Sequence, residues 1–127
     1  MVCWETSMKT KSAKAKGRKL QDWVKTNLIY YINLSPKVID IGSHIRCAIM
    51  GERGADVTLS SSIRHLFPFS IECKNQETFK GMYKILDQAA GHDNYPPIAF
   101  LKMNQKEPLI LMEAKTFFEV YFDDEKV

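Results

Sequence analysis

The change of hydrophobic period near residue 44 constrains this chain more than any other feature. Between Lys14 and Ser35, the apolar residues Leu20, Trp23, Val24, Leu28 and Tyr31 recur at spacings of three and four. That period gathers them on one stripe of an amphipathic helix. Ser35-Pro36 predicts its end, because the residue before a proline is pushed out of the helical region. From His44 to Met50 the period falls to two, with Ile45, Cys47 and Ile49 alternating with His44, Arg46 and Ala48. Gly51-Glu52-Arg53-Gly54 reads as a turn. Beyond it Ala55, Val57 and Leu59 alternate with Asp56 and Thr58, which predicts two strands on a tight connection.

A third strand is expected over about Phe69 to Lys74, with Phe69, Ile71 and Cys73 on one face and Ser70, Glu72 and Lys74 on the other. The serines at 60 to 62 suit a cap for a short helix ending near Leu66. Phe79, Met82, Tyr83, Leu86 and Ala90 make the stripe of a second helix, stopped by Gly91 and the Asn94–Pro97 segment. Ile98–Lys102 and Leu109–Met112 read as two more strands around a polar Asn104–Lys106 turn. Ala114–Phe122 fits a closing helix or strand equally. The expected class is therefore α/β (α+β), a mixed sheet flanked by helices.

A chain of 127 residues has room for one core. We expect a flexible basic arm over residues 1–13 and one domain over 14–127. Apolar residues are 45% and charged residues 26%, as in ordinary globular proteins. No apolar run approaches the ~20 residues that span a bilayer, and the N-terminus lacks the apolar core of a secretory signal. Cys3, Cys47 and Cys73 are odd in number and widely spaced, which predicts reduced thiols in a cytoplasmic protein. The net charge is only +3, but Lys9, Lys11, Lys14, Lys16, Arg18 and Lys19 fall within eleven residues free of acids. Such a block suits a polyanion, since phosphate contacts release counterions; it equally suits a solvated tail.

Three acid-x-lysine triplets occur: Glu72-Cys73-Lys74, Glu113-Ala114-Lys115 and Asp124-Glu125-Lys126. Only the first ends an alternating strand and follows an aspartate-bearing one. Residues two apart on a strand share a face, so Glu72 and Lys74 point the same way. If the second and third strands pair as a hairpin, Asp56 joins them. Two carboxylates and a lysine at one patch suit a magnesium ion that activates water and offsets charge on a phosphodiester. The same spacing also fits an exposed cross-strand ion pair.

Gly54-Ala55-Asp56-Val57 followed by Phe67-Pro68-Phe69-Ser70-Ile71-Glu72-Cys73-Lys74-Asn75-Gln76 resembles the core of the PD-(D/E)xK nuclease superfamily. More narrowly, the chain is similar to small phage-encoded nucleases related to archaeal-type Holliday junction resolvases. Met50-Gly51-Glu52-Arg53-Gly54-Ala55-Asp56 and Lys14-Ala15-Lys16-Gly17-Arg18 resemble two further elements of that group, and the similarity spans roughly residues 14–113. The resemblance implies a restriction-endonuclease-like αβββαβ core. It implies metal binding by Asp56, Glu72 and the Cys73 carbonyl, with Mg2+ or Mn2+ as cofactor. Lys74 would position water and counter developing charge, and Gln88 would lie beside it, though Gln88 equally suits the solvent side. Where relatives carry a first-helix glutamate, this chain has Gln21 with Asp22 beside it.

The expected function is a metal-dependent deoxyribonuclease that hydrolyses DNA phosphodiester bonds, with branched or Holliday-junction DNA tried first. A resolvase implies two active sites and hence a homodimer. The expected setting is the cytoplasm, the host's if the chain is phage-encoded. Lys14, Lys16, Arg18, Lys19, Arg53, Arg64 and Lys102 are the candidate DNA contacts. The rival expectation is a non-catalytic nucleic-acid-binding protein on the same fold. His44, His65 and His92 show no metal-ligand spacing, Gly51–Gly54 lacks the context of a phosphate-binding loop, and Trp23 belongs to the core stripe.

Overall fold

The computed structural model describes residues 13–33, 41–49, 52 and 54–122. The arm before Ala13, the expected stop at Ser35-Pro36, and Met50, Gly51 and Arg53 of the turn lie outside the described residues. Helix α1 spans Ala13–Asn33, strand β1 Ile45–Cys47, β2 Val57–Leu59 and β3 Ser70–Asn75. Helix α2 (Met82–Ala90), β4 (Pro97–Lys102), β5 (Leu109–Leu111) and helix α3 (Ala114–Phe122) follow. The fold is mixed α/β: five strands form one sheet in sequence order, antiparallel except for the parallel β3–β4 pair. Among the described residues no helix is long and apolar enough to cross a membrane.

The apolar stripe of α1 is buried as its period requires except at Tyr31, which is 51% exposed while Ile32 beside it turns inward. Leu20, Val24, Leu28 and Ile32 are buried against Ile45, Val57, Leu59, Phe69, Ile71 and Ile98 on one face of the sheet. Trp23 packs edge-on to Phe100, with ring centroids 6.4 Å apart. A parallel pair needs a crossover connection, and α2 supplies it between β3 and β4. Ile85 of α2 covers Ala99 and Leu101 on the sheet's second face. On that same face the Ser70 hydroxyl donates to the Ala89 carbonyl at 2.6 Å, both groups out of water. Ser70→Ala removes that buried bond and leaves the carbonyl only the His92 N–H at 3.2 Å. We expect it to cost about 1–2 kcal/mol, read as a lower denaturation midpoint with an unchanged slope.

Several local expectations change. Strand β1 stops at Cys47, and Ile49, expected to continue the apolar face, is 71% exposed. The backbone leaves the ladder where Glu52 folds back to accept from Ile49 N–H at 2.8 Å and from Arg46 at 2.8 and 2.9 Å. Gly54, at φ 105°, then turns the chain into β2, a conformation glycine adopts without steric cost. The serines cap no helix: Arg64–Leu66 forms a 3-10 turn without a side-chain cap. Ser60 and Ser62 instead bond His44 Nδ1 at 2.7 and 3.2 Å. Helix α2 buries Leu86 of its expected stripe, with Ile85 and Ala89 beside it, while Met82, Tyr83 and Ala90 of that stripe are exposed. Gly81, at φ 66°, starts the helix. The closing segment is helical.

Candidate active site

Antiparallel register sets Val57 opposite Ile71, which brings Asp56, just before β2, alongside Glu72. The Asp56 backbone N–H donates to the Ile71 carbonyl at 3.0 Å. Its carboxylate Oδ2 accepts from the Cys73 N–H at 2.7 Å. One aspartate thus ties the end of β2 to β3 with both its main chain and its side chain. By alternation Glu72 and Lys74 share with Ser70 the face that α2 covers.

Glu72 is not on a solvated face: its exposure is 3%. The exposed ion-pair alternative therefore fails for this residue, because β4 and α2 close over a strand buried on both sides. The Glu72 carboxyl is pushed up to about 8, first by burial, then by its hydrogen bond to and the negative charge of Asp56. Lys74 and the Cys73 N–H act in the opposite direction. His92 Nε2, just past α2, lies 3.3 Å from Glu72 Oε2. In the sequence His92 shows no metal-ligand spacing. Its proximity arises from where α2 ends, and no spacing in the chain carried it.

Cys47 and Cys73 are free thiols and poor nucleophiles. Burial and Asp22 push Cys47 up to about 11, and burial followed by Asp56 pushes Cys73 well up. Asp22, beside Gln21 on α1, bonds the Cys47 thiol, which also feels Asp56. The first-helix acid nearest the site is therefore Asp22.

The remaining candidates divide. Gln88 is exposed on α2. The Arg64 guanidinium is engaged inside the protein, on Asp93 at 2.5 Å, on the Phe69 carbonyl at 3.2 Å and 4.0 Å above the Tyr95 ring. Lys14 and Arg18 are exposed, Lys16 and Lys19 half-buried, and Arg53 lies outside the described residues. Lys102 is 1% exposed and bonds the Met103 carbonyl. Burial lowers its pKa, and Lys16 and Lys19 lower it further while Glu107 opposes. Lys102 falls by alternation with Ile98 and Phe100 on the α1 face, so Lys16, Lys19 and Lys102 cluster across the sheet from Glu72. Asn75 pairs with Lys102 in register and donates to the Lys16 carbonyl at 3.4 Å. The basic cluster and Lys74 thus lie at the same end of the β3–β4 pair, on opposite faces of the sheet.

Among the described residues no three His, Cys, Asp or Glu side chains are grouped to hold a metal ion. Two carboxylates nevertheless suffice for magnesium, which keeps several waters. The chemistry of the donor pair fits a hard cation, because Asp56 and Glu72 repel one another in a buried place that a positive charge would relieve. A cavity of about 510 Å³ lies elsewhere, between α1, Phe67 and Pro108–Ile110. Its lining of Trp23, Leu28, Phe100 and similar residues offers no acid or base for hydrolysis. Compared with known protein families, curated proteins and solved structures, the chain gives no match.

Proposed function

We propose that this chain is a magnesium- or manganese-dependent deoxyribonuclease of the PD-(D/E)xK type, hydrolysing phosphodiester bonds in DNA. The observation that carries the reading is the buried Glu72 carboxylate beside Asp56, with the Lys74 charge acting on it. The order α1-β1-β2-β3-α2-β4 supports a restriction-endonuclease-like core, since it repeats that fold's αβββαβ sequence of elements. Asp56 and Glu72 would hold the cation together with the Cys73 carbonyl. When bound, it supplies a hydroxide-like water and offsets charge on the phosphate. Asp56 is aimed by the Cys73 N–H, and Glu72 by the packing around it. Lys74 orients water and counters charge developing on the phosphate oxygens. Lys16 and Lys19, at the same end of the strands, and the exposed Lys14 and Arg18 supply the positive field for the DNA backbone.

Branched DNA is the first substrate to try. Labelled linear, single-stranded, flap and four-way DNA are incubated with the full chain and Mg2+, Mn2+ or EDTA. We expect metal-dependent cleavage, strongest on the branched forms. Binding without cleavage in either metal would leave the non-catalytic nucleic-acid-binding reading in its place.

A further inference from the structure

Helix α3 presents four aromatic rings to solvent. Phe117 and Phe118 are about half exposed, Tyr121 is 66% and Phe122 71% exposed, and Thr116 is the helix's buried residue. The rings are already ordered against one another. Phe117 stacks on Tyr121 at 5.7 Å and Phe118 tilts over Phe122 at 6.0 Å. Edge contacts at 5.8 and 4.9 Å join the two rows. At the base of the helix, Met82, Tyr83 and Leu86 of α2 line a cavity of about 360 Å³ with Leu111–Lys115. Tyr83 there is 78% exposed.

We infer that α3, with Met82 and Tyr83 of α2, is the interface of a homodimer in which two α3 helices pack antiparallel about a two-fold axis. The area is of the right order. With aromatic side chains of roughly 150–250 Å² each, the four rings and Tyr83 leave roughly 500–800 Å² per chain in water, which reaches at its upper end the ~800 Å² per partner of a stable interface. Monomers rarely leave so much contiguous apolar surface in water.

The charges are self-complementary. Lys115 and Glu119 lie one turn apart, flanking the Phe118–Phe122 row, 3.8 Å from each other. An antiparallel two-fold sets each Lys115 opposite the partner subunit's Glu119, as an isologous contact requires. A lipid surface is a poorer occupant. Interfacial helices are rich in Lys and Arg on their polar face, whereas α3 carries one lysine and one glutamate and precedes Asp123, Asp124 and Glu125 in the sequence.

The test is the mass of the full chain in solution, by sedimentation and by light scattering, over a range of micromolar concentrations. Wild type is expected at the mass of two chains. Phe118→Glu/Phe122→Glu is expected at the mass of one, with unchanged circular dichroism and melting, because the rings it alters are exposed. Lys115→Glu and Glu119→Lys should each weaken association about tenfold, since each puts like charges together. Mixing these two variants restores the dimer, as each then supplies the charge the other lacks. A wild type that stays at one chain mass overturns the inference. So does a dimer indifferent to Phe118→Glu/Phe122→Glu, or anionic phosphatidylserine vesicles capturing monomeric wild type but not that variant. The readout needs neither metal nor DNA, so it stands apart from the nuclease reading.

Discussion

Glu72→Gln protein is expected to fold as wild type does and to cleave labelled DNA at least roughly 10²–10³-fold more slowly in Mg2+. The substitution keeps the size of a buried side chain and removes the charge that would hold the cation. It also removes a buried carboxyl that sits uneasily beside Asp56, so loss of activity should come without loss of stability. Asp56→Asn is expected to lose activity comparably. Its effect on folding differs, because the Asp56 carboxylate accepts the Cys73 N–H at 2.7 Å and a neutral amide oxygen accepts that bond less strongly. Lys74→Ala separates the roles: cation binding should survive while turnover falls. Initial rates on one DNA substrate, with Mg2+ binding followed by calorimetry, check all three. Equal cleavage by wild type and Glu72→Gln would remove Glu72 from the chemistry.

The metal-free protein should be more stable at pH 5 than at pH 9, the reverse of what paired carboxylates produce. The folded Glu72 carboxyl lies near 8 against an ordinary 4.5, raised by burial and by Asp56, with Lys74 opposing and His92 at 3.3 Å. Between those two values the folded chain keeps a proton that the unfolded chain has released. The associated stability is therefore complete below about 4.5, falls as pH rises, and is gone above about 8. Each pH unit between two pKa values is worth about 1.4 kcal/mol, so the whole change is on the order of a few kcal/mol. Melting in EDTA across pH 5–9 should fall by roughly 10 °C. Glu72→Gln flattens that profile. Mg2+ acts in the opposite sense, because it needs the ionised form: it should raise the melting temperature most above pH 8 and leave the Glu72→Gln protein unmoved. A wild-type profile that is flat, or that rises toward pH 9 in EDTA, would contradict the buried-carboxyl account.

Much of α1 and β3 was legible because each depends on a repeat that the chain carries locally. Leu20, Val24 and Leu28 are buried as a spacing of three and four demands, and Ile71 faces α1 while Ser70 and Glu72 face α2 as a period of two demands. The Glu72-x-Lys74 spacing needs only the geometry of one strand. The inward side of helix α2 was legible only in part, at Leu86, because Met-Tyr-Lys-Ile-Leu-Asp-Gln-Ala-Ala offers apolar residues on more than one side. Packing on the β3–β4 pair chooses Ile85, Leu86 and Ala89. Ile49 illustrates the same limit, for alternation continues past Cys47 while the ladder does not.

The sequence by itself determined the order of elements, the α1 stripe and the common face of Glu72 and Lys74, because hydrophobic period and strand geometry act within a few residues. Tertiary structure alone decided that Glu72 is buried beside Asp56, that His92 reaches it, and that Lys102 joins Lys16 and Lys19 across the sheet. It also left the rings of α3 in water, although their composition reads as core. Each of these outcomes is a matter of desolvation and of charges brought together from distant parts of the chain. Such energies exist only once the sheet has closed and its crossover helix has settled.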